Sequence, residues 1–240
     1  MASLLKFTGH LKELRSRFIR STIYLAVGTA IGWICYTPVF QLVGSPITDL
    51  LERSDTKFLV TGVTEGFMLK MQVSFLVGLI LSAPFISCEV WGFIRPGLNR
   101  TERKAMMFVA PLSVFLFALG VTASYLVLPV GLEWLVAQNP PHSTFMPSVG
   151  QSMLFVLKMG LAFGLVFQMP VVLMFLGKVG IINAALLKAR WKEAVVIISI
   201  VTAVATPSND ALSMIMMCVP MLVLYFLSIV LVARTAKRAS

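Results

Sequence analysis

The feature that most constrains this chain is its repetition of long apolar runs, each bounded by a short polar or charged segment. A helix needs roughly 20 apolar residues to cross about 30 Å of hydrocarbon. Only 12% of the residues are charged, whereas a soluble domain carries about a quarter. The sequence therefore predicts an all-α integral membrane protein that forms a single domain over residues 1–240. The six predicted transmembrane helices are at residues 18–40, 66–90, 105–136, 151–176, 194–205 and 211–232.

Lysine and arginine are distributed unevenly between the two sides that this topology creates. Sixteen of the 20 fall in the amino-terminal segment, the loops after the second and fourth spans, and the carboxyl tail. Only Arg53 and Lys57 fall in loops on the other side, which we call the trans side. The positive-inside rule then predicts a multi-pass protein of the cytoplasmic (inner) membrane with both termini in the cytoplasm. This topology accounts for the net charge of +10 without a nucleic-acid partner.

The last two spans are predicted to be short. The fifth, at residues 194–205, would reach only about 18 Å at 1.5 Å per residue. The sixth carries Pro220 near its middle. Short spans are accommodated by a thinner bilayer or by neighbouring helices. We therefore expect a local defect in the membrane on the trans side beside these two spans.

Three prolines are predicted to have structural roles. Pro46 lies in the trans segment 41–65, which is long enough to cap the bundle, as is the segment 138–150. Pro84 weakens the second span because proline removes one backbone donor and crowds the preceding turn. Pro96, within Arg95-Pro96-Gly97, is expected to end the regular structure after Glu89 and Trp91 have reached the water boundary.

Small and polar residues recur every four positions in two spans, and this spacing keeps them near one helix face. Such a stripe fits either close helix packing or a polar pathway, because small residues let helices approach and polar ones avoid lipid. Lys70 has a third possibility, which is to extend towards the lipid headgroups. The stripes consist of Gly66, Lys70, Ser74, Gly78 and Ser82 in the second span and Gly160, Gly164 and Gln168 in the fourth.

Other classes of membrane protein find little support in the sequence. A secondary transporter would show paired ionisable residues at the midplane and an internal repeat, and neither is evident. An embedded enzyme is weaker still, because the chain has no HExxH, no phosphate-binding loop and no Ser/His/Asp set that could meet. Cys35, Cys88 and Cys218 are expected to be free thiols. We expect no metal site and no cofactor.

Two acids stand out against the basic cytoplasmic segments. Glu13 lies on a short amphipathic stretch in which Leu11, Leu14 and Phe18 follow helical spacing. Glu102 lies in a charged loop among three bases. Each acid could be a screened surface ion pair, worth at most about 1 kcal/mol, or a binding site for an external cation.

The combination of motifs resembles the TatC family, the multispanning core of the twin-arginine protein translocase. The resemblance covers nearly the whole chain. Its most specific parts are the amino-terminal His-Leu-x-Glu-Leu-Arg-x-Arg and the Trp-x-Phe-x-x-Pro-x-Leu loop. The matching segments are His10–Arg17, Leu81–Pro84, Val90–Leu98, Glu102-Arg103, Phe163–Pro170 and Thr206-Pro207.

The resemblance implies a receptor for the signal peptides of folded cargo proteins, which carry two adjacent arginines. Glu13 and Glu102 would bind this arginine pair at the cytoplasmic face. A carboxylate accepts the planar fork of a guanidinium in bidentate fashion, and lysine cannot match that geometry. Phe93 and Leu98 would offer apolar surface beside the acids. Arg17 and Arg103, with Arg15, would set orientation and hold the acids in place.

The resemblance also implies partners, an energy source and a non-enzymatic role. Single-span TatA and TatB subunits would dock near the last two spans and the polar position in the fourth span, which is often glutamate and here is Gln168. Thr206, Pro207 and Asp210 would belong to this region, although Thr206–Asp210 departs from the commoner Thr-Pro-Pro-Asp. Glutamine can form hydrogen bonds but cannot ionise. Transport would be driven by the proton-motive force, and copies of the chain would associate within a receptor complex.

Overall fold

The computed structural model describes residues 2–53, 58–60, 62–94, 100–140, 146–206 and 210–236, without the side chains of residues 2–10, 53, 100–108 and 235–236. Helices account for most of these residues. Their bounds are α1 (Ala2–Ile34), α2 (Tyr36–Arg53), α3 (Glu65–Ile94), α4 (Arg100–Ala137), α5 (Val149–Val166), α6 (Met169–Lys178), α7 (Ala184–Ala189), α8 (Trp191–Ala205) and α9 (Ala211–Ala236).

The described helices confirm the predicted all-α membrane architecture at a coarser level than six spans. Four segments are long and apolar enough to cross a membrane, and the α1–α2 pair makes a fifth only if both helices are counted as one span. The break between α5 and α6 lies inside one of these segments. The four segments are Glu65–Ile94, Val109–Ala137, Val149–Lys178 and Ala211–Arg234.

Three sequence predictions about element bounds need correction. The first span does not continue to residue 40, because the chain bends by 81° between Ile34 and Tyr36 and continues as α2. Glu102 is not in a loop, since α4 already begins at Arg100. The last span is not short, because α9 has 26 residues and is about 39 Å long at 1.5 Å per residue. By contrast, α8 has only 15 residues, as the sequence predicted for the fifth span.

Helices α1 and α3 pack antiparallel at the distance that only small residues permit. A Cβ atom built on Gly28 would lie 2.8 Å from the carbonyl oxygen of Gly78, and one built on Gly32 would lie 2.7 Å from that of Ser74. The stripe on α3 is therefore a helix-packing surface at Ser74 and Gly78. Gly66 is not part of it, because a Cβ there would meet nothing within 4 Å.

The second small-residue stripe packs α5 against α4. A Cβ on Gly164 would lie 2.6 Å from the ring of Phe117, and Gly160 faces Val121 and Ser124 at ordinary contact distance. Phe163 beside them is almost completely buried. Lys70 on α3 has its Nζ 4.4 Å from the ring centroid of Trp33, so it forms a cation–π contact near the α1–α2 bend.

Helix α2 contains Pro46 in its interior and forms the first part of the trans segment, whose fold the sequence did not predict. A proline cannot donate a hydrogen bond to the carbonyl four residues earlier, which here belongs to Leu42. Two hydroxyl groups lie beside this carbonyl instead: Ser45 Oγ is 3.1 Å and Tyr125 Oη 2.9 Å from it. The two hydroxyls are 2.5 Å apart, so one of them donates to the other and the second donates to the carbonyl. Because Tyr125 belongs to α4, the proline position also ties α2 to the bundle.

The bundle has two distinguishable ends. Antiparallel packing brings the start of α1, the ends of α3 and α6 and the carboxyl end of α9 to one end, which we call the basic end. Arg17 on α1 meets Glu89 on α3, Trp91 on α3 stacks on Phe175 of α6 at 5.2 Å, and Gly177 of α6 meets Val232 of α9. At the opposite end, Leu59 pairs with Ser148 in an isolated bridge.

Candidate functional site

A cluster of charged side chains links α1 and α3 at the basic end, and Arg17 is its centre. Its Nε and Nη2 both donate to Oε1 of Glu13, at 3.1 and 2.8 Å. Its Nη1 donates to Oε2 of Glu89 at 2.9 Å and to the Glu89 carbonyl oxygen at 3.3 Å. We call Glu13, Arg17 and Glu89 the charge cluster. One guanidinium thus joins two carboxylates that are 76 positions apart in the chain.

The charge cluster is partly open to solvent, and its two carboxylates differ in exposure. The side chain of Glu13 is 31% exposed, whereas that of Glu89 is 13% exposed. Arg20 approaches Glu89 Oε1 to 3.8 Å, which is an ion pair but too long for a hydrogen bond. The two acids and Arg17 carry one net negative charge, and Arg20 offsets it through Glu89. Glu13 therefore offers the more accessible carboxylate for an external cation.

Space for the guanidinium is provided by a glycine. A Cβ atom on Gly92 would lie 2.3 Å from Nη1 of Arg17, so any larger residue there would displace the guanidinium. Gly92 follows Glu89 by three residues and therefore lies on the same helix face. On α3, Glu89 thus provides the hydrogen-bond acceptor for Arg17, and Gly92 provides the space for its guanidinium.

The structure brings part of the predicted binding site to this end. Phe93 lies in the last turn of α3, and the backbone of Glu102 and Arg103 lies in the first turn of α4. The described part of α4 reaches α3 nearby, because Val109 packs in one apolar cluster with Trp91. The side chains of Glu102 and Arg103 lie outside the description, as do Pro96 and Leu98 entirely. Pro84 lies within the continuous helix α3.

Gln168 forms a second polar centre, at the break between α5 and α6. Its Nε2 donates to the carbonyl oxygen of Ser113 on α4 at 2.9 Å, and its Oε1 accepts from the Ser113 hydroxyl. Trp91 Nε1 donates to the same hydroxyl at 3.4 Å. The amide therefore connects α4 to the broken span, which is the interhelical role that glutamine often has in a membrane.

The side chain of Gln168 also borders an open apolar groove of about 670 Å³ between α5, α6 and α8. Lys158, Val204 and Thr206 contribute to its walls. Thr206 ends α8, where its N–H donates to the carbonyl of Thr202 at 2.9 Å. Asp210 begins α9, where its Oδ2 accepts from the backbone N–H of Ser213 at 2.7 Å, an N-cap. Pro207 lies outside the described residues.

Comparisons with known proteins agree with this architecture. Residues 9–220 match the sequence profile of the family described as Sec-independent protein translocase protein (TatC). The chain belongs to the TatC family. It is 36% identical over 225 residues to the Sec-independent protein translocase protein TatC of Desulforapulum autotrophicum, covering 93% of this chain and 83% of that one. It is 34% identical over 227 residues to the Aquifex aeolicus protein of the same name, covering 93% of each.

A solved structure gives the same result for the TatC fold. The protein described as "Crystal Structure of Twin Arginine Translocase Receptor- TatC" superposes with a TM-score of 0.81 at 34% identity, covering 95% of this chain and 99% of that one. This chain is therefore a multi-pass integral membrane component of a Sec-independent protein translocase, and its role is transport rather than catalysis.

Sequence reasoning missed two residues of these sites. Glu89 was placed at the water boundary without a partner, because its pairing with Arg17 depends on the register of α1 against α3. Ser113 was not considered, since a serine within an apolar helix usually bonds to its own backbone. The sequence did contain a signal for Glu89, because this carboxylate precedes Gly92 by three residues near the end of the predicted second span. For Ser113, no signal was present in a single sequence.

Proposed function

We propose that this TatC-family chain is the receptor that recognises twin-arginine signal peptides, with Glu13 and Glu102 as the carboxylates that bind the two guanidinium groups. The observation that carries this proposal is that the two carboxylate oxygens of Glu13 differ in their hydrogen bonds. Its Oε1 accepts both hydrogen bonds from Arg17, whereas Oε2 receives none from the described residues. A partly exposed carboxylate with one oxygen held and one available is suited to bind an incoming guanidinium.

The position of Glu102 supports the second half of the site. Its backbone lies in the first turn of α4 at the basic end, so it shares that end of the bundle with Glu13. A helix N-terminus favours a negative charge on the protein, which suits a carboxylate that would accept hydrogen bonds from a guanidinium. Phe93 and Leu98 would provide apolar contacts next to the arginine pair, and Arg103, like Arg17, would orient the acid beside it.

The charge of the basic end also indicates how the protein is oriented in the membrane. The basic end collects the lysine and arginine-rich segments, so the positive-inside rule assigns it to the cytoplasm of a cell with this protein in its inner membrane. In this proposal α8 is a sixth crossing that is shorter than the hydrocarbon core, and a thinned bilayer beside it accommodates the difference. Transport of the folded cargo is driven by the proton-motive force.

Crosslinking of a twin-arginine peptide to purified protein in membranes tests the recognition site. We expect Glu13→Ala and Glu102→Ala each to weaken crosslinking, and the double variant to abolish it. Glu52→Ala, which removes an exposed carboxylate at the opposite end of the bundle, is the matched control and should leave crosslinking unchanged. Undiminished crosslinking in the double variant would reject this site.

The groove beside Gln168 is the proposed docking surface for single-span partners of the TatA and TatB type. Its walls are largely apolar, and the amide gives a polar contact at the level of the α5–α6 break. An apolar single helix with one hydrogen-bonding side chain would match this surface. Thr206 belongs to the lining of the groove.

Copurification with the single-span subunits tests the docking surface. Gln168→Leu retains the volume of the side chain but removes its hydrogen bonds, so we expect reduced copurification and reduced export. Gln151→Leu, at an exposed position in the first turn of α5, is the matched control. Normal assembly and export by the Gln168→Leu variant would refute this role.

A further inference from the structure

We propose that Glu89 is a positioning residue of the recognition site: it holds Arg17 so that this internal guanidinium cannot close over both oxygens of Glu13. This inference rests on the proposed function and adds a residue that the resemblance did not assign. It begins from the way in which Arg17 distributes its donors between α1 and α3.

The geometry between Arg17 and Glu13 is not the usual bidentate pair. In that pair, two nitrogens of the guanidinium donate to two different carboxylate oxygens. Here Nε and Nη2 both converge on Oε1 of Glu13. The remaining nitrogen, Nη1, is held by Glu89 through its Oε2 and its backbone carbonyl. Among the described residues nothing donates to Oε2 of Glu13, and the side chain is 31% exposed.

The Glu89 carboxylate, which accepts from Arg17, is well placed to hold this guanidinium in a fixed position. The Glu89 carboxylate is only 13% exposed, so its interaction is screened less than that of Glu13. It lies on α3, whereas Arg17 and Glu13 both lie on α1, four residues apart on one helix face. Gly92 provides the space in which Nη1 reaches Glu89. These contacts oppose the local tendency of Arg17 to pair fully with its helical neighbour.

Without the charge on Glu89, that local tendency is no longer opposed. Arg17 can then turn towards Glu13 and form two parallel hydrogen bonds, which would occupy both oxygens. The external arginine would have to displace an internal one, and the affinity of the site would fall. Glu89 therefore keeps the site open without contacting the peptide. Among the described residues, the ion pair of Arg20 is with Glu89.

The test is a double-mutant cycle on the binding of a fluorescent twin-arginine peptide to the full-length chain in nanodiscs. Glu89→Gln removes the charge at nearly constant volume, and we expect it to weaken binding about tenfold, because a neutral amide oxygen attracts the guanidinium less than a carboxylate does. Arg17→Lys keeps the charge but cannot form the fork, and its own peptide affinity is the reference for the second background. In that background, Glu89→Gln should change the affinity less than about twofold.

Two results of this cycle would contradict the positioning role of Glu89. An equal loss from Glu89→Gln in both backgrounds would mean that Glu89 contacts the peptide or supports the fold, and it would overturn the positioning role. An unchanged affinity for Glu89→Gln in the chain that keeps Arg17 would overturn it too. Thermal unfolding of every variant in detergent separates misfolding from a change in peptide affinity. A positioning role predicts that Glu89→Gln leaves the unfolding midpoint unchanged in both backgrounds.

A parallel measurement keeps this inference separate from the recognition site itself. Glu13→Gln should weaken peptide binding in both Arg17 and Arg17→Lys backgrounds. If Glu13→Gln has no effect, the proposed recognition site fails. If Glu13→Gln weakens binding and Glu89→Gln does not, only the positioning role of Glu89 fails.

Discussion

Replacing Gly78 by alanine should separate α1 from α3, because this contact is made between backbones. A Cβ atom on Gly78 would lie 2.6 Å from the backbone nitrogen of Thr29 and 2.8 Å from its Cα. Ordinary contact begins at about 3.4 Å, so the two helices would have to move apart by about 0.8 Å. A backbone atom cannot rotate away as a side chain can, and the strain falls on the packing of the whole pair.

The expected cost follows from two opposing effects. Forcing an extra methyl group into a packed contact costs about 1–3 kcal/mol, whereas alanine in place of glycine stabilises a helix by about 1 kcal/mol. Gly66→Ala lies on the same helix with nothing within 4 Å of its new Cβ, so this comparison cancels the helix-forming term. Gly78→Ala should therefore be less stable than Gly66→Ala by roughly 2 kcal/mol, or about 4–8 °C in the unfolding midpoint for a chain of this size.

Thermal unfolding in detergent micelles measures this difference, and peptide binding measures its consequence. Opening the pair by about 0.8 Å would stretch the contact from Arg17 to Glu89, now 2.9 Å, beyond the 3.2 Å of an ordinary N–H···O bond. We therefore expect weaker binding of a twin-arginine peptide as well. Equal midpoints for Gly78→Ala and Gly66→Ala would refute the claim that this backbone contact sets the position of α1.

Three further substitutions test individual contacts through the unfolding midpoint in detergent. Tyr125→Phe removes one of the two hydroxyls at the Leu42 carbonyl, and with it the hydrogen bond to Ser45, and should destabilise the chain by about 1 kcal/mol; an unchanged midpoint would mean that α2 is held by apolar packing alone. Asp210→Ala removes the N-cap of α9 and should cost about 0.5–2 kcal/mol, whereas Asp210→Asn should cost less, and equal losses would contradict a capping role. Tyr225→Phe removes the 2.8 Å hydrogen bond to the carbonyl of Leu187 in α7 and should speed amide exchange in 184–189, with unaltered exchange as the contradicting result.

The fold could largely be predicted from the sequence because its signals are local. Apolar length and the position of charges define the helices that cross the membrane, and stripes at a spacing of four indicated where they pack, as Ser74, Gly78 and Gly164 illustrate. The bend after Ile34 was missed, although Gly32 and Pro38 flank it, because the amphipathic α2 continues the apolar run without a break in composition.

The charge cluster could be predicted only in part. Glu13 and Arg17 are four residues apart on one helix, so their pairing follows from helical spacing alone. The third member, Glu89, depends on how far α1 extends along α3, and a single sequence does not contain that register. The same reason hid Ser113, whose hydroxyl is within reach of Gln168 only because α4 and α5 pack through Gly120 and Gly164.

A binding experiment with peptides in which either arginine is replaced by lysine tests most directly whether two carboxylates bind two guanidinium groups. Four peptides (Arg-Arg, Lys-Arg, Arg-Lys and Lys-Lys) would be titrated against the original chain, Glu13→Gln and Glu102→Gln. If each carboxylate holds one arginine in bidentate fashion, replacing either arginine by lysine should weaken binding to the original chain, a loss of affinity that we call the lysine penalty. Each glutamine variant should show no lysine penalty at one peptide position and the full penalty at the other. If both variants keep both penalties, Glu13 and Glu102 do not bind the arginine pair.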